Sequence, residues 1–214
     1  MEKICQLDRF KSACDIHVCV SRVEEIQQEK KGASPSNGLI LTLKAGTTYN
    51  GDAIEKCFLK FWRNSKAKQQ NQNQIWALNY EMWVYSHVIR SLVDNRVCPN
   101  FSRYLAKGKR CSKPKELLKL LGNDEEEKDL QEKEDYRLLV TEYLDGTTLR
   151  EYLKEKKQLD VDGWLILFQL AVACYALFLS RTTHNDLHDG NVILVENEAV
   201  ITYDIEGKIC TGPP

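Results

Sequence analysis

Between residues 164 and 203 the chain changes character three times, and that order constrains it more than any other feature. Trp164–Leu179 is a run of 16 residues, apolar but for a few polar side chains such as Gln169. A membrane-spanning helix needs about 20 apolar residues, so the run reads as a buried helix of a globular domain. Directly after it comes the densest polar cluster of the sequence, His184–Asn191 (HNDLHDGN). Two short apolar runs follow, Val192–Val195 and Ala199–Tyr203, separated by Glu196-Asn197-Glu198. They read as a hairpin. A polar cluster clamped between a core helix and apolar strands is held in place, and placed polar groups are what chemistry requires.

Composition excludes several classes. With 214 residues the chain is long enough for one large domain or two small lobes. Lys plus Arg number 30 and Asp plus Glu 31, a net charge of −1. No basic field for nucleic acid and no charge surplus for a membrane surface is present, so neither is expected as a partner. The start, MEKICQLDRF, lacks an apolar core, so no cleaved secretory signal is expected. None of the 8 cysteines forms a C-x-x-C pair, which argues against a zinc ribbon or a thioredoxin-like motif. Reduced thiols in a cytoplasmic compartment are expected.

The remaining pattern predicts an α+β chain in two unequal parts. Ile16–Val20 is a short strand candidate, and residues 27–38 read as a polar loop. Leu39–Lys44 and Lys56–Trp62 read as strands, with Asn50-Gly51 between them as the strongest hairpin signal. Lys60 should share one strand face with Phe58 and Trp62. A polar connector, 64–74, leads to a helix over about Ile75–Val93, whose Trp76, Tyr80 and Trp83 read as packing residues, as does Tyr85. Phe101–Ala106 and Tyr136–Tyr143 are further strands. Between them a basic block (107–119) precedes an acidic one (123–135), the pattern of a solvated insertion. Asp145-Gly146 marks a turn, Thr148–Lys156 a short helix, and Asp160 or Asp162 a cap for the long apolar helix.

The polar octet has two chemical readings. His184 and His188 would share a helix face as metal ligands, but Asp189-Gly190-Asn191 is turn-forming and disfavours a helix there. The alternative is H-x-D-x-x-x-x-N: His184, Asp186, Asn191. Phosphoryl transfer needs a carboxylate to orient and deprotonate a hydroxyl, and hard oxygen ligands for Mg2+. Asp204 lies 13 residues beyond Asn191, at the end of the next strand.

These residues resemble the protein kinase superfamily: His184–Asn191 is similar to its catalytic loop, and Tyr203-Asp204-Ile205-Glu206 to its metal-binding D-F-G position. The resemblance covers about residues 39–207. It implies a bilobal α+β fold, with an antiparallel-sheet N-lobe carrying one main helix over 1–143 (charged insertion about 107–135). An incomplete, mainly helical C-lobe would occupy 144–214. It implies ATP and Mg2+ as cofactors, Asp186 as base, and Asn191 and Asp204 as metal ligands. Lys60 would clamp the phosphates and Glu81, 21 residues on, would orient it. Glu142, Tyr143 and Leu144 would bind adenine through their backbone, with Ile193 against its face. Without the resemblance, Asp186 is also a common turn residue, Lys60 an ordinary strand lysine and Glu81 an ordinary helix glutamate.

Four departures qualify the resemblance. No G-x-G-x-x-G precedes Lys60. His188 stands where Ser/Thr kinases usually carry Lys, as in haspin-like kinases, kinase-like proteins of large DNA viruses and aminoglycoside phosphotransferases. Glu206 replaces the Gly of D-F-G, as in choline and aminoglycoside kinases, and would assist in holding Mg2+. The sequence also ends shortly after Asp204, so the underside of the 164–179 helix is expected to need a cover, a partner or a second copy. The implied function is an ATP- and Mg2+-dependent phosphotransferase, foremost a divergent serine/threonine protein kinase acting on a protein substrate. A small-molecule kinase acting on an alcohol and a catalytically inactive pseudokinase are the alternatives. The location would be cytoplasmic, or the host cytoplasm or virion for a viral protein.

Overall fold

The computed structural model describes residues 23–28, 37–43, 45, 48–49, 52–64, 72–109, 135–156, 161–196 and 200–212. The expected strand at 16–20 and most of the charged 107–135 insertion lie outside these residues. The chain is α+β with antiparallel sheets, and it divides into two compact units, 1–82 with 104–143, and 83–103 with 144–214.

The first unit is built on a five-stranded sheet. Its strands are β1 (Val23–Gln28), β2 (Asn37–Leu43), β5 (Lys56–Asn64), β7 (Asp135–Glu142) and β6 (Tyr104–Lys109), in that spatial order and all antiparallel. β1 occupies the start of the expected 27–38 loop. A small ladder of β3 (Thr48–Tyr49) and β4 (Asp52–Ala53) links β2 to β5, with Tyr49 paired to Asp52 across the Asn50-Gly51 signal. Alternation works as the pattern requires: Cys57 and Leu59 are buried, whereas Phe58 and Lys60 on the other face are partly covered. In central β7, Leu138, Leu139 and Val140 are all buried, as expected where both faces of a strand are covered. Helix α1 (Gln72–Trp83) follows β5 and buries Met82.

The helix does not stop at Trp83. It continues through a π-helical turn, Val84–Ile89, into α2 (Arg90–Asp94) in the second unit. The expected helix is therefore present, with a wide turn that periodicity alone did not reveal. Of its aromatics Tyr85 packs against the core of the second unit as expected, whereas Trp76 (67% exposed) stacks on half-buried Tyr80 at 5.4 Å and exposed Trp83 stacks on His87.

The second unit contains β8 (Thr147–Thr148), α3 (Leu149–Glu155), α4 (Val161–Leu179), a 3-10 turn at Asp189–Asn191, β9 (Ile193–Leu194), β10 (Ile201–Ile205) and β11 (Lys208–Gly212). Its core joins Val88, Ile89, Leu92, Cys98, Ala173, Ala176, Leu177 and Tyr203. Two expectations are corrected. Among the described residues the runs at 192–195 and 199–203 have separate partners: β9 pairs with β8, and β10 with β11. Nor is α4 a buried helix. Its inward stripe uses small residues, Gly163, Ala173 and Ala176, with Leu177, while Trp164 (67% exposed) and Phe178 (70% exposed) face outward and half-exposed Phe168 meets the ring of buried Tyr203 edge-on. By length and composition alone Asp162–Leu179 is long and apolar enough to cross a membrane, and 22% of that window is buried.

Candidate functional site

Lys60 and Glu81 meet within the first unit. Lys60 Nζ donates to Glu81 Oε1 at 2.8 Å, with side chains 24% and 32% exposed. The strand puts Lys60 on the partly covered face, between Gly38 of β2 and Leu139 of β7 in register. One helix brings Glu81 to it. A part-buried, charge-assisted hydrogen bond of this kind is screened less than a surface pair.

At the end of β7, Glu142 is in register with Cys57, and Tyr143 N–H donates to Lys56 O at 3.3 Å. That backbone donor is therefore already used within the unit. Lys56 Nζ lies 5.7 Å above the Tyr143 ring. Leu144 begins the second segment of the second unit.

The polar octet is not helical. Asn185 sits at φ 60, a left-handed conformation that Asn tolerates. His188 is extended and caps the 3-10 turn: its Nδ1 accepts from Gly190 N–H at 3.0 Å, and its backbone oxygen accepts from Asn191 N–H at 2.9 Å. An accepting Nδ1 carries no proton, so a neutral His188 bears its hydrogen on Nε2, which lies 3.9 Å from Asp186 Oδ1. Asn191 Nδ2 donates to Asp186 twice, to the backbone oxygen at 2.9 Å and to Oδ2 at 3.1 Å. The turn thus brings together Asp186 and Asn191, five residues apart. The Asp186 side chain remains 78% exposed, and the Asn191 amide keeps its oxygen as an acceptor.

Asp204 lies on β10 opposite Ile209, is solvent-exposed, and is anchored by its own N–H donating to Val97 O at 3.2 Å. Glu206 is not in a strand but in the two-residue turn between β10 and β11, at φ 52 and followed by Gly207 at φ 75. Positive φ at both positions is the mark of a type I′ hairpin. Tyr175 Oη donates to Glu206 Oε2 at 3.2 Å, which pushes the tyrosine above its usual range. Ile193 in β9 is about half exposed and pairs with Thr148. Among the described residues no group of three His, Cys, Asp or Glu side chains is placed to hold a metal ion.

The sequence reading missed one contact. Arg150 of α3 donates through Nε (3.0 Å) and Nη2 (2.8 Å) to Asp189 Oδ1, 39 residues away. The guanidinium holds the Asp189 carboxyl below the ordinary carboxylate range. A local signal existed for the helix that presents Arg150: Thr148 and Glu151 form a capping box.

No family model matches the chain. A stretch of 71 residues, 33% of the chain, is 35% identical to a protein of Invertebrate iridescent virus 3 named "Probable kinase 098L". The match spans 14% of that protein's length. This partial similarity supports a kinase-like chain and nothing finer.

Proposed function

We propose that the chain is a kinase-like phosphotransferase that moves the γ-phosphate of ATP, with Mg2+, to a hydroxyl acceptor, foremost a serine or threonine of a protein. The observation that carries this reading is the 2.8 Å ion pair between Lys60 and Glu81, residues that the resemblance to protein kinases pairs from spacing alone. The partial similarity to a viral protein named as a probable kinase points the same way.

Each residue then has a task. Asp186 orients the acceptor hydroxyl and takes its proton as the oxygen attacks. Asn191 steadies Asp186 through its amide N–H, and its side-chain carbonyl oxygen remains an acceptor. That oxygen and the exposed Asp204 carboxylate are hard donors, the chemistry Mg2+ prefers, and a site of one or two protein ligands completed by phosphates and waters is usual for this ion. Glu206 is a third oxygen source on the same hairpin, held by Tyr175. Bound Mg2+ would neutralise charge on the transferring phosphate. Lys60, oriented by Glu81, binds the α- and β-phosphates. Backbone groups of Glu142 and Leu144 would meet the adenine edge, the Tyr143 N–H being engaged with Lys56, and Ile193 would cover its face.

A second reading, a kinase-like binding protein without catalysis, is favoured by the absence of G-x-G-x-x-G before Lys60. Thermal melting with millimolar Mg-ATP tests the nucleotide requirement. A ligand at 100 times its Kd stabilises by about 2.7 kcal/mol, so the wild type should melt higher and Lys60→Met should lose most of the shift. No shift in the wild type would overturn the phosphotransferase reading. Labelled Mg-ATP offered with myelin basic protein, choline or kanamycin then identifies the acceptor class.

A further inference from the structure

We propose that Arg150 is a positioning residue: through Asp189 it fixes the 188–191 turn and, with it, the Asp186–Asn191 pair. The consequence for rate rests on the phosphotransferase reading; the brace itself rests on geometry alone.

Residues 147–150 run antiparallel to 194–189 like one side of a zipper. Thr147 pairs with Leu194, Thr148 with Ile193, and Leu149 N–H donates to Val192 O at 2.8 Å. The ladder ends there, because the chain turns into the 3-10 helix at Asp189–Asn191. Arg150 supplies the next rung with its side chain, placing two N–H groups on Asp189 Oδ1. Asn191 is thereby flanked on both sides by residues tied to α3 and β8. The anchor is itself firm, because the capping box sets the first turn of α3: Thr148 N–H and Oγ1 both donate to Glu151 Oε2, and Glu151 N–H returns to Thr148 Oγ1.

Beside that brace, polar restraints such as the His188 cap and the β8–β9 ladder hold the turn, and apolar packing contributes little. His184, Asn185, Asp186 and Leu187 are all exposed, so hydrophobic packing does not fix their positions. Gly190 lies tightly between the two restraints: a Cβ there would stand 3.1 Å from the His188 ring and 3.3 Å from Arg150 Nη2. An exposed ion pair adds little to global stability, so its value is local. A planar guanidinium with two donors fixes direction as well as distance, which a lysine ammonium does not.

The test uses the full chain and the variants Arg150→Ala, Asp189→Ala, the double variant and Arg150→Lys. Amide exchange at Gly190 and Asn191 reads the turn, and phosphate transfer from Mg-ATP reads its use. Arg150→Ala should leave the melting temperature unchanged and speed exchange at both amides. It should lower kcat about ten- to a hundred-fold, with KM for ATP nearly constant, the cost of displaced groups at a reacting centre. Asp189→Ala should match it, the double variant should be no worse than either, and Arg150→Lys should fall between. Unchanged exchange, or losses that multiply in the double variant, would overturn the brace. A wild type that transfers no phosphate overturns the proposed function instead, and exchange alone then judges the brace.

Discussion

Gly146→Ala is predicted to damage the second unit, and the structure sets the size of the effect. A Cβ at 146 would lie 2.2 Å from Leu194 O, 3.0 Å from Leu194 C and 3.0 Å from Ile193 Cγ2. Carbon and oxygen in ordinary contact sit more than 3 Å apart, so the methyl overlaps a backbone atom by about 1 Å. A backbone carbonyl cannot swing aside as a side-chain tip does. Relief requires β8 to part from β9, which strains the Thr147–Leu194 and Thr148–Ile193 pairing and the Leu149-to-Val192 bond. Overpacking costs about 1–3 kcal/mol, and each hydrogen bond lost adds about 1 kcal/mol. The lower entropy of an unfolded alanine returns about 0.4–1 kcal/mol. The net is about 1–3 kcal/mol, a fall of roughly 3–10 °C in Tm for a chain of this size. Calorimetric melting measures it, with Gly212→Ala as control, because the nearest atom to a Cβ there is 3.6 Å away. Should Gly146→Ala melt with the wild type, the close approach of these segments is wrong, and with it the zipper that leads into the 188–191 turn.

Further outcomes follow from single groups. Burial pushes the Cys57 thiol up to about 12, so at pH 8 mass spectrometry should find thiol reagents on exposed Cys174 and Cys210 long before Cys57. Because the unfolded thiol ionises from about 9 while the folded one resists, Cys57 contributes stability that is complete below pH 9 and declines as the pH rises towards 12. Thr148→Ala removes the α3 cap and should cost about 1 kcal/mol by urea denaturation. The hydrogen bonds from Thr148 also hold Glu151 below its ordinary value of 4.5, so that link stabilises the fold at neutral pH and is lost as the pH falls through the lowered value.

What was legible depended on distance along the chain. Alternation around Cys57–Lys60 exposed the strand and the face of its lysine, and the helical period from 75 to 93 put Glu81 on the following helix; both are local patterns. The run Val192–Val195 reads wrongly from sequence because its partner, Thr147–Thr148, lies far earlier in the chain, ahead of α3 and α4, and local pattern favours the nearer run. The apolar content of α4 announced a helix but not its orientation: alanines face the core, while Trp164 and Phe178 face out. Arg150 and Asp189 were invisible for the same reason of separation, since nothing in either neighbourhood names the other. In the octet the spacing of Asp186 and Asn191 is legible from sequence, because a five-residue turn is short enough for sequence to dictate it.

Transfer of labelled γ-phosphate by the wild type and by Asp186→Ala, compared at equal occupancy by Mg-ATP, bears most directly on the central claim. The account predicts that the wild type phosphorylates a hydroxyl acceptor and that the variant binds nucleotide as well but transfers about 10²–10⁴ times more slowly. Equal rates in the two proteins, or nucleotide binding with no transfer by either, would contradict it.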